Sequence, residues 1–83
     1  MNNYYVIEIQ TNADGTSGNF IWGYADKLEA EDKFLGVRQF ANDSTVWVHT
    51  VMFIDKFGKN VQEPACYKHP VQEPEPEEEQ SEE

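Results

Sequence analysis

The sequence predicts an α+β fold in two layers, in which an antiparallel sheet of four strands carries one helix packed on one face. Three observations lead to this prediction. Strand-like alternation occurs twice before and twice after one stretch of helical periodicity, turn-forming residues separate the strands of each pair, and 83 residues leave room for one domain only. The order of elements is therefore β-β-α-β-β, with the domain assigned to residues 1–70 and an acidic tail to residues 71–83.

The first two strands are predicted to form a hairpin. Residues 4–11 (YYVIEIQT) are rich in β-branched and aromatic side chains, and residues 20–25 (FIWGYA) have a similar composition. Residues 12–19 lie between them and contain glycine, Asn and Asp, which favour a turn. Gly23 indicates a bulge or a close approach by another segment of the chain.

A helix is predicted from Lys27 to about Asn42. Asp26 has the character of an N-cap, and Glu29 follows three residues later, as in a capping box. One stripe of this helix is apolar and is therefore expected to face the sheet. The residues of the stripe are Ala30, Phe34, Val37, Phe40 and Ala41.

The second pair of strands follows the helix. Residues 45–55 (TVWVHTVMFID) give the strongest strand signal in the chain. The segment from Asp55 to Gly58 has the composition of a type I turn with glycine in the left-handed position. Residues 60–63 are predicted to form the returning strand, and Pro64 suits the outer edge of a sheet because proline cannot donate to a ladder.

The negative charge is concentrated towards the C-terminus. The formal net charge is −10, and residues 63–83 hold eight acids against one base, Lys68. Residues 71–83 lack aromatic side chains and are predicted to be disordered. Because there is no basic stripe for phosphate, we expect no direct binding to nucleic acid, and an anionic membrane surface would repel the chain. With no secretion signal and no long apolar run, the protein is expected to be soluble and intracellular.

The residues that could carry chemistry are few. Cys66 is the only cysteine, and Cys66-x-x-His69 has the spacing of half a zinc site without a second half. His49 is the other histidine, and its place in a strand favours a structural role. The glycine-rich segment 14–18 lacks the lysine of a phosphate loop. We therefore expect no enzyme activity, no cofactor and no metal.

One face of the predicted sheet is left without cover. A single helix covers one face, yet residues 45–55 are apolar on both faces. The residues predicted to line the uncovered face, and to bind a protein partner, are Tyr4, Val6, Trp22, Tyr24, Trp47, His49, Val51 and Phe53. Three interpretations are open: residues 61–71 fold back over the face, two copies of the chain pair through it, or a different protein docks there.

Several strand and turn patterns resemble those of a known group of proteins. The stretch HTVMFID (49–55), with Gly58 and YKHP (67–70), is similar to the end of very short reading frames carried by prophages of gut Firmicutes. The opening strand and the helix start DKLEAE (26–31) are similar as well, so the resemblance spans roughly residues 4–70. The group has no assigned activity, and the resemblance implies a phage origin and a non-enzymatic role.

These observations lead to an expected function. The protein is expected to be a phage or mobile-element protein that acts by protein–protein contact, as a homodimeric accessory of a virion or tail module. The alternative is an acidic anti-defence or host-takeover inhibitor that occupies a basic nucleic-acid-binding site, in keeping with the net charge of −10. The expected location is the cytoplasm of a bacterial host, or a virion.

Overall fold

Four strands form one antiparallel sheet, and one helix packs against it. The computed structural model describes residues 1–71 of the chain. The elements are β1 (Tyr4–Thr11), β2 (Ser17–Tyr24), α1 (Lys27–Asp43), β3 (Val48–Asp55) and β4 (Asn60–Lys68). Their order in the sheet is β2-β1-β3-β4, so β1 and β3 are central and β2 and β4 are the edges. The predicted α+β fold, with an antiparallel sheet and one helix on one face, is confirmed. The disorder predicted for residues 71–83 falls, apart from Val71, outside the described residues.

The first hairpin has a tighter turn than the sequence predicted. The backbone N–H of Asn12 donates to the Thr16 carbonyl at 2.8 Å, and Gly15 between them adopts a φ of +93°. The Asp14 carboxylate accepts hydrogen bonds from the Thr16 backbone N–H at 2.9 Å and from its hydroxyl at 2.7 Å. Because five residues complete the reversal, β2 begins at Ser17, three residues earlier than expected.

The helix begins as predicted. The Asp26 side chain accepts a hydrogen bond from the backbone N–H of Glu29 at 3.2 Å, which satisfies one donor of the first turn. The residues buried against the sheet are Ala30, Phe34, Val37 and Ala41. Phe40 was also placed on this stripe, but it lies about 80° from the stripe's centre at 100° per residue, and its side chain is 60% exposed.

The second hairpin closes through the predicted turn. The Asp55 carboxylate accepts from the backbone N–H groups of Phe57 and Lys59, and Gly58 has a φ of +84°. β4 continues to Lys68, well beyond the predicted end at residue 63. It does so because a bulge between the Phe53–Gln62 and Val51–Ala65 pairs accommodates Pro64 within an edge strand.

The helix covers the face of the sheet that the sequence analysis left open, so that assignment is wrong. Val6, Val51 and Phe53 are fully buried beneath α1, and His49 is buried with them. One helix, about 10 Å wide, cannot span a sheet of four strands at about 4.8 Å each. Large rings therefore fill the space beside the helix. They are Tyr4, Trp22, Tyr24 and Tyr67, all partly buried against the core.

The C-terminal part of the domain does not fold back across the sheet either. Residues 60–68 extend the sheet as β4, beside β3, instead of covering one of its faces. The first of the three interpretations of the uncovered face is therefore wrong.

Candidate functional sites

The face of the sheet opposite the helix has no covering element among residues 1–71. Successive side chains of a strand point to opposite faces, so the burial of Val6, Glu8, His49, Val51 and Phe53 under the helix places their neighbours on the other side. We call this surface the outer face. Its residues on β1, β2 and β3 are Tyr5, Ile7, Ile9, Thr11, Ser17, Asn19, Ile21, Gly23, Val48, Thr50, Met52 and Ile54.

The outer face is aliphatic at its centre and uncharged across three strands. Ile7 is paired with Ile21 on one side and with Met52 on the other, so three large apolar side chains form a row across the sheet. Ile21 is 62% exposed, and the central residues Ile7 and Met52 are shielded only in part by their neighbours. On β4 the same face carries a charge, because Lys68 pairs with Val48. The uncharged part of the outer face is therefore its centre on β1, β2 and β3, and depletion of charge is typical of the centre of a protein interface.

Gly23 lies on the outer face where the N-terminal segment approaches. A Cβ atom at this position would lie 2.3 Å from the Asn2 side chain and 3.3 Å from the ring of Tyr5. The predicted close approach by another segment is therefore confirmed. This close approach packs the N-terminal residues against one end of the outer face.

A carboxylate and an imidazole meet beneath the helix. His49 is fully buried and Glu8 is 5% exposed, and Nε2 of His49 shares a hydrogen bond with Oε2 of Glu8. The same oxygen accepts from the side-chain amide of Gln10 at 3.0 Å. Within residues 1–71, Nδ1 of His49 has no hydrogen-bond partner, and the Phe40 ring stands edge-on to the imidazole at 5.8 Å between centroids. Polar groups in a core of this size are expensive to bury, so the pair calls for an explanation beyond stability.

Glu8 also forms part of a cleft between α1 and the first two strands. The cleft has a volume of about 300 Å³. Its walls combine apolar side chains with two carboxylates and one ammonium group, from Glu8, Trp22, Asp32, Lys33, Gly36, Val37 and Phe40. The Lys33 ammonium lies 4.3 Å from the centroid of the Trp22 ring. We call this space the Glu8 cleft.

The structure places seven of the eight predicted binding residues, all but Trp47, on the helix side of the sheet, and it does not expose them as a surface. Tyr4, Trp22 and Tyr24 flank the helix in partly buried positions, and Trp47 precedes β3 with 39% of its surface exposed. The other four predicted residues are fully buried: Val6, His49, Val51 and Phe53. A partner that meets the folded domain could touch the exposed parts of the first group only, and the binding role assigned to the whole set stays a prediction.

Sequence reasoning missed both the outer face and the Glu8 cleft. The sequence did contain a signal for the outer face, because Tyr5, Ile7 and Ile9 alternate along β1 with Tyr4 and Val6, which were predicted to line the uncovered face. The signal for the cleft was Glu8 itself, an acid at a core-facing position of an apolar strand. Recognising its partner required the register, which sets Gln10 opposite His49 and so brings Glu8 diagonally next to the imidazole.

Cys66 and His69, which have the spacing of half a zinc site, make separate contacts in the structure. Cys66 is an exposed free thiol on β4, and the Thr50 hydroxyl lies 3.5 Å from its sulfur. His69 is instead tied to the helix, with Nε2 at 3.0 Å from the Ala41 carbonyl oxygen. Over residues 1–71, no three His, Cys, Asp or Glu side chains are grouped so as to hold a metal ion. In the same part of the chain, no helix combines the length and the apolar character needed to cross a membrane.

Comparisons with protein-family models, with curated proteins and with solved structures find no match to this chain.

Proposed function

We propose that this chain is a non-enzymatic phage or mobile-element protein that acts by protein–protein contact, and that two copies pair through their outer faces. The observation that carries the proposal is the aliphatic centre of the outer face, which is uncharged on β1, β2 and β3. The resemblance to short prophage reading frames supports the phage origin, and an accessory role in a virion or tail module is the setting we propose for such a dimer.

The size of the outer face suits a dimer. Strands of eight residues are about 26 Å long and four of them side by side are about 19 Å wide, which gives a footprint of about 500 Å². Two such footprints sum to about 1,000 Å² before side-chain relief is counted, which meets the minimum expected of a biological interface. Two sheets can pack face to face at about 10 Å with interdigitated side chains, as in a β-sandwich.

The charge distribution favours a second copy as the partner. In a twofold pair each surface meets its own image, so any net charge on it would face the same charge. The body and the C-terminal region of this protein are acidic, with a net charge of −10 overall, whereas the outer face is uncharged on β1, β2 and β3. Across these three strands two acidic chains can therefore meet without placing like charges opposite each other, and Lys68, which pairs with Val48 from β4, brings a positive charge to this face.

The test is the mass of the protein in solution for the wild type and two matched variants. Ile7→Glu places a carboxylate at the centre of the outer face, and Leu28→Glu makes the same kind of change at a 68% exposed position on α1. Sedimentation equilibrium should give a mass of twice 9.6 kDa for the wild type and for Leu28→Glu, and the monomer mass for Ile7→Glu. Because the two chains repel each other, association should strengthen as salt is added.

Two results would reject this proposal. A wild-type protein that stays monomeric at high concentration has no such interface. A dimer that survives Ile7→Glu is joined elsewhere, for example along the free edge of β2, whose segment Ser17–Tyr24 has neither charge nor proline to block pairing.

The net charge of −10 favours a second candidate, an inhibitor that occupies the basic nucleic-acid-binding site of a host or defence protein. Acidic groups can imitate phosphate in such a site because they satisfy the same basic side chains. The measurement is the release of a labelled oligonucleotide from basic host nucleases by the full chain and by a variant that ends at residue 71. Release that requires the acidic C-terminal residues would support this candidate, and no release by the full chain would remove it.

A further inference from the structure

We propose that the Glu8 cleft binds an organic cation, an alkylammonium or guanidinium group attached to a short apolar stem. Such a group is carried by lysine and arginine side chains and by small free amines. The cleft lies on the helix side of the sheet, so this site is independent of the pairing proposed for the outer face.

Glu8 lines the cleft with a carboxylate that uses one of its oxygens for its contacts with residues 1–71. The hydrogen bond shared with His49 and the one accepted from Gln10 are both made at Oε2. Oε1 therefore has room for a further donor, and Glu8 keeps 5% exposure on the wall of the cleft. A carboxylate largely removed from water binds a cationic donor more strongly than a solvated one, because the local dielectric constant is low.

The walls suit the stem of such a ligand and its charge. Trp22, Val37 and Phe40 provide apolar surface around the cleft. The Lys33 ammonium at 4.3 Å from the Trp22 ring already shows that the indole face accommodates a cation. Lys33 is attached by a long flexible stem, so it can move aside for a ligand that also reaches Glu8.

The charges of the lining argue against an anion. Glu8 and Asp32 contribute two carboxylates, and Lys33 contributes one ammonium group. An anionic ligand near Lys33 would lie within the same small volume as both acids. A cation instead meets Glu8 in the interior and Asp32 as a further lining carboxylate, so the electrostatic complementarity favours positive charge.

Gly36 provides space on the helix side of the cleft. A Cβ atom added there would meet nothing within 4 Å, so the side of the helix facing the cleft is open at this residue. Glycine within a helix lowers its stability relative to alanine. A side chain at this lining position would extend into open space beside the cleft.

The test is a titration of the ¹⁵N-labelled full chain with n-butylammonium, monitored by the indole N–H resonances. Trp22 lines the cleft and Trp47 does not, so the second indole is an internal control. We expect a saturable shift of the Trp22 resonance, with Trp47 unchanged. n-Butanol and butyrate have the same stem without the positive charge and should give much smaller shifts.

Three variants locate the site. Gly36→Leu fills the cleft with a residue that favours helix and should abolish the shift, whereas Asn42→Leu adds the same side chain outside the lining and should retain it. Glu8→Gln keeps the shape of the floor and removes its charge, which should weaken binding about tenfold. The proposal is overturned if n-butanol or butyrate matches n-butylammonium, if both indoles shift together, if there is no saturable shift, or if Gly36→Leu binds like the wild type.

A second pair of probes distinguishes the two sources of the cation. A tripeptide with blocked ends and a central lysine presents the same ammonium group from a polypeptide backbone. Binding of this peptide at least as tight as that of n-butylammonium assigns the cleft to a protein side chain. Exclusion of the peptide, with n-butylammonium still bound, assigns it to a small free amine.

Discussion

The buried pair of Glu8 and His49 makes His49→Leu the most informative substitution for stability. Leucine is apolar and fills a similar space, but within residues 1–71 it leaves the Gln10 amide as the one remaining donor to Oε2 of Glu8. Leaving a buried acceptor without its partner costs about 1–3 kcal/mol, and more for a charged group. Because water can still reach the other oxygen of Glu8 through the cleft, we expect a loss of about 3 kcal/mol.

The double variant Glu8→Leu/His49→Leu distinguishes the effect of losing the interaction from the effect of leaving one polar group buried without its partner. It removes both polar groups at once, and an apolar replacement of similar volume is often neutral or stabilising. We therefore expect its free energy of unfolding to lie within about 1 kcal/mol of the wild type. The double variant should therefore be about 2 kcal/mol more stable than His49→Leu alone, which is the non-additivity expected of residues in direct contact.

Urea unfolding measured by tryptophan fluorescence and by circular dichroism gives these free energies. A domain of this length has a total stability of about 4–12 kcal/mol, so a loss of about 3 kcal/mol is large on that scale. The reasoning fails if His49→Leu costs less than about 1 kcal/mol, which would mean that water already satisfies Glu8. It also fails if the double variant is less stable than the single one, since the two groups would then stabilise the fold separately.

Three further substitutions or measurements test local features. Gly36→Ala should raise the free energy of unfolding by about 1 kcal/mol, because a Cβ atom meets nothing there and glycine weakens a helix. A lower free energy of unfolding, measured by urea denaturation, would mean that the space around Gly36 is not open. Gly58→Ala should lower the free energy of unfolding by about 1–2 kcal/mol, since φ is +84°, and an unchanged urea midpoint would contradict the turn geometry. The Thr16 hydroxyl and backbone N–H stabilise the Asp14 carboxylate, so an NMR titration should find its pKa below the ordinary 3.8, and Thr16→Val should bring it back towards that value. Because folding lowers this pKa, the interaction stabilises the fold at pH values above the unfolded pKa, and this stabilisation is lost as the pH falls through the folded pKa. An Asp14 pKa at or above 3.8 would refute the turn contacts.

Features that depend on neighbours in the chain were predictable from the sequence. Asp26 caps the helix because its carboxylate reaches the N–H of Glu29, three residues away. The turn at Asp55 and Gly58 follows from the need for a positive φ and from a side chain that binds its own backbone. These interactions are short in sequence, and the residue types alone almost specify them.

The length of β4 was less predictable. Pro64 suggested the end of a strand, and it lies instead within one. The reason is that a bulge opposite β3 absorbs the missing donor of proline, and the position of a bulge depends on the partner strand.

The sequence by itself determined the elements, their order and the presence of one surplus apolar face, because periodicity, caps and turns are local. Which face the helix covers was decided only by the tertiary structure. Both faces of β3 are apolar, so hydrophobicity could not choose between them. The physical reason is packing. Large rings fill the space beside a narrow helix on one face, and the row of Ile7, Ile21 and Met52 is left on the outer face. The same packing placed Glu8 beside His49, 41 residues away, and brought Glu8 into the lining of a cleft against α1.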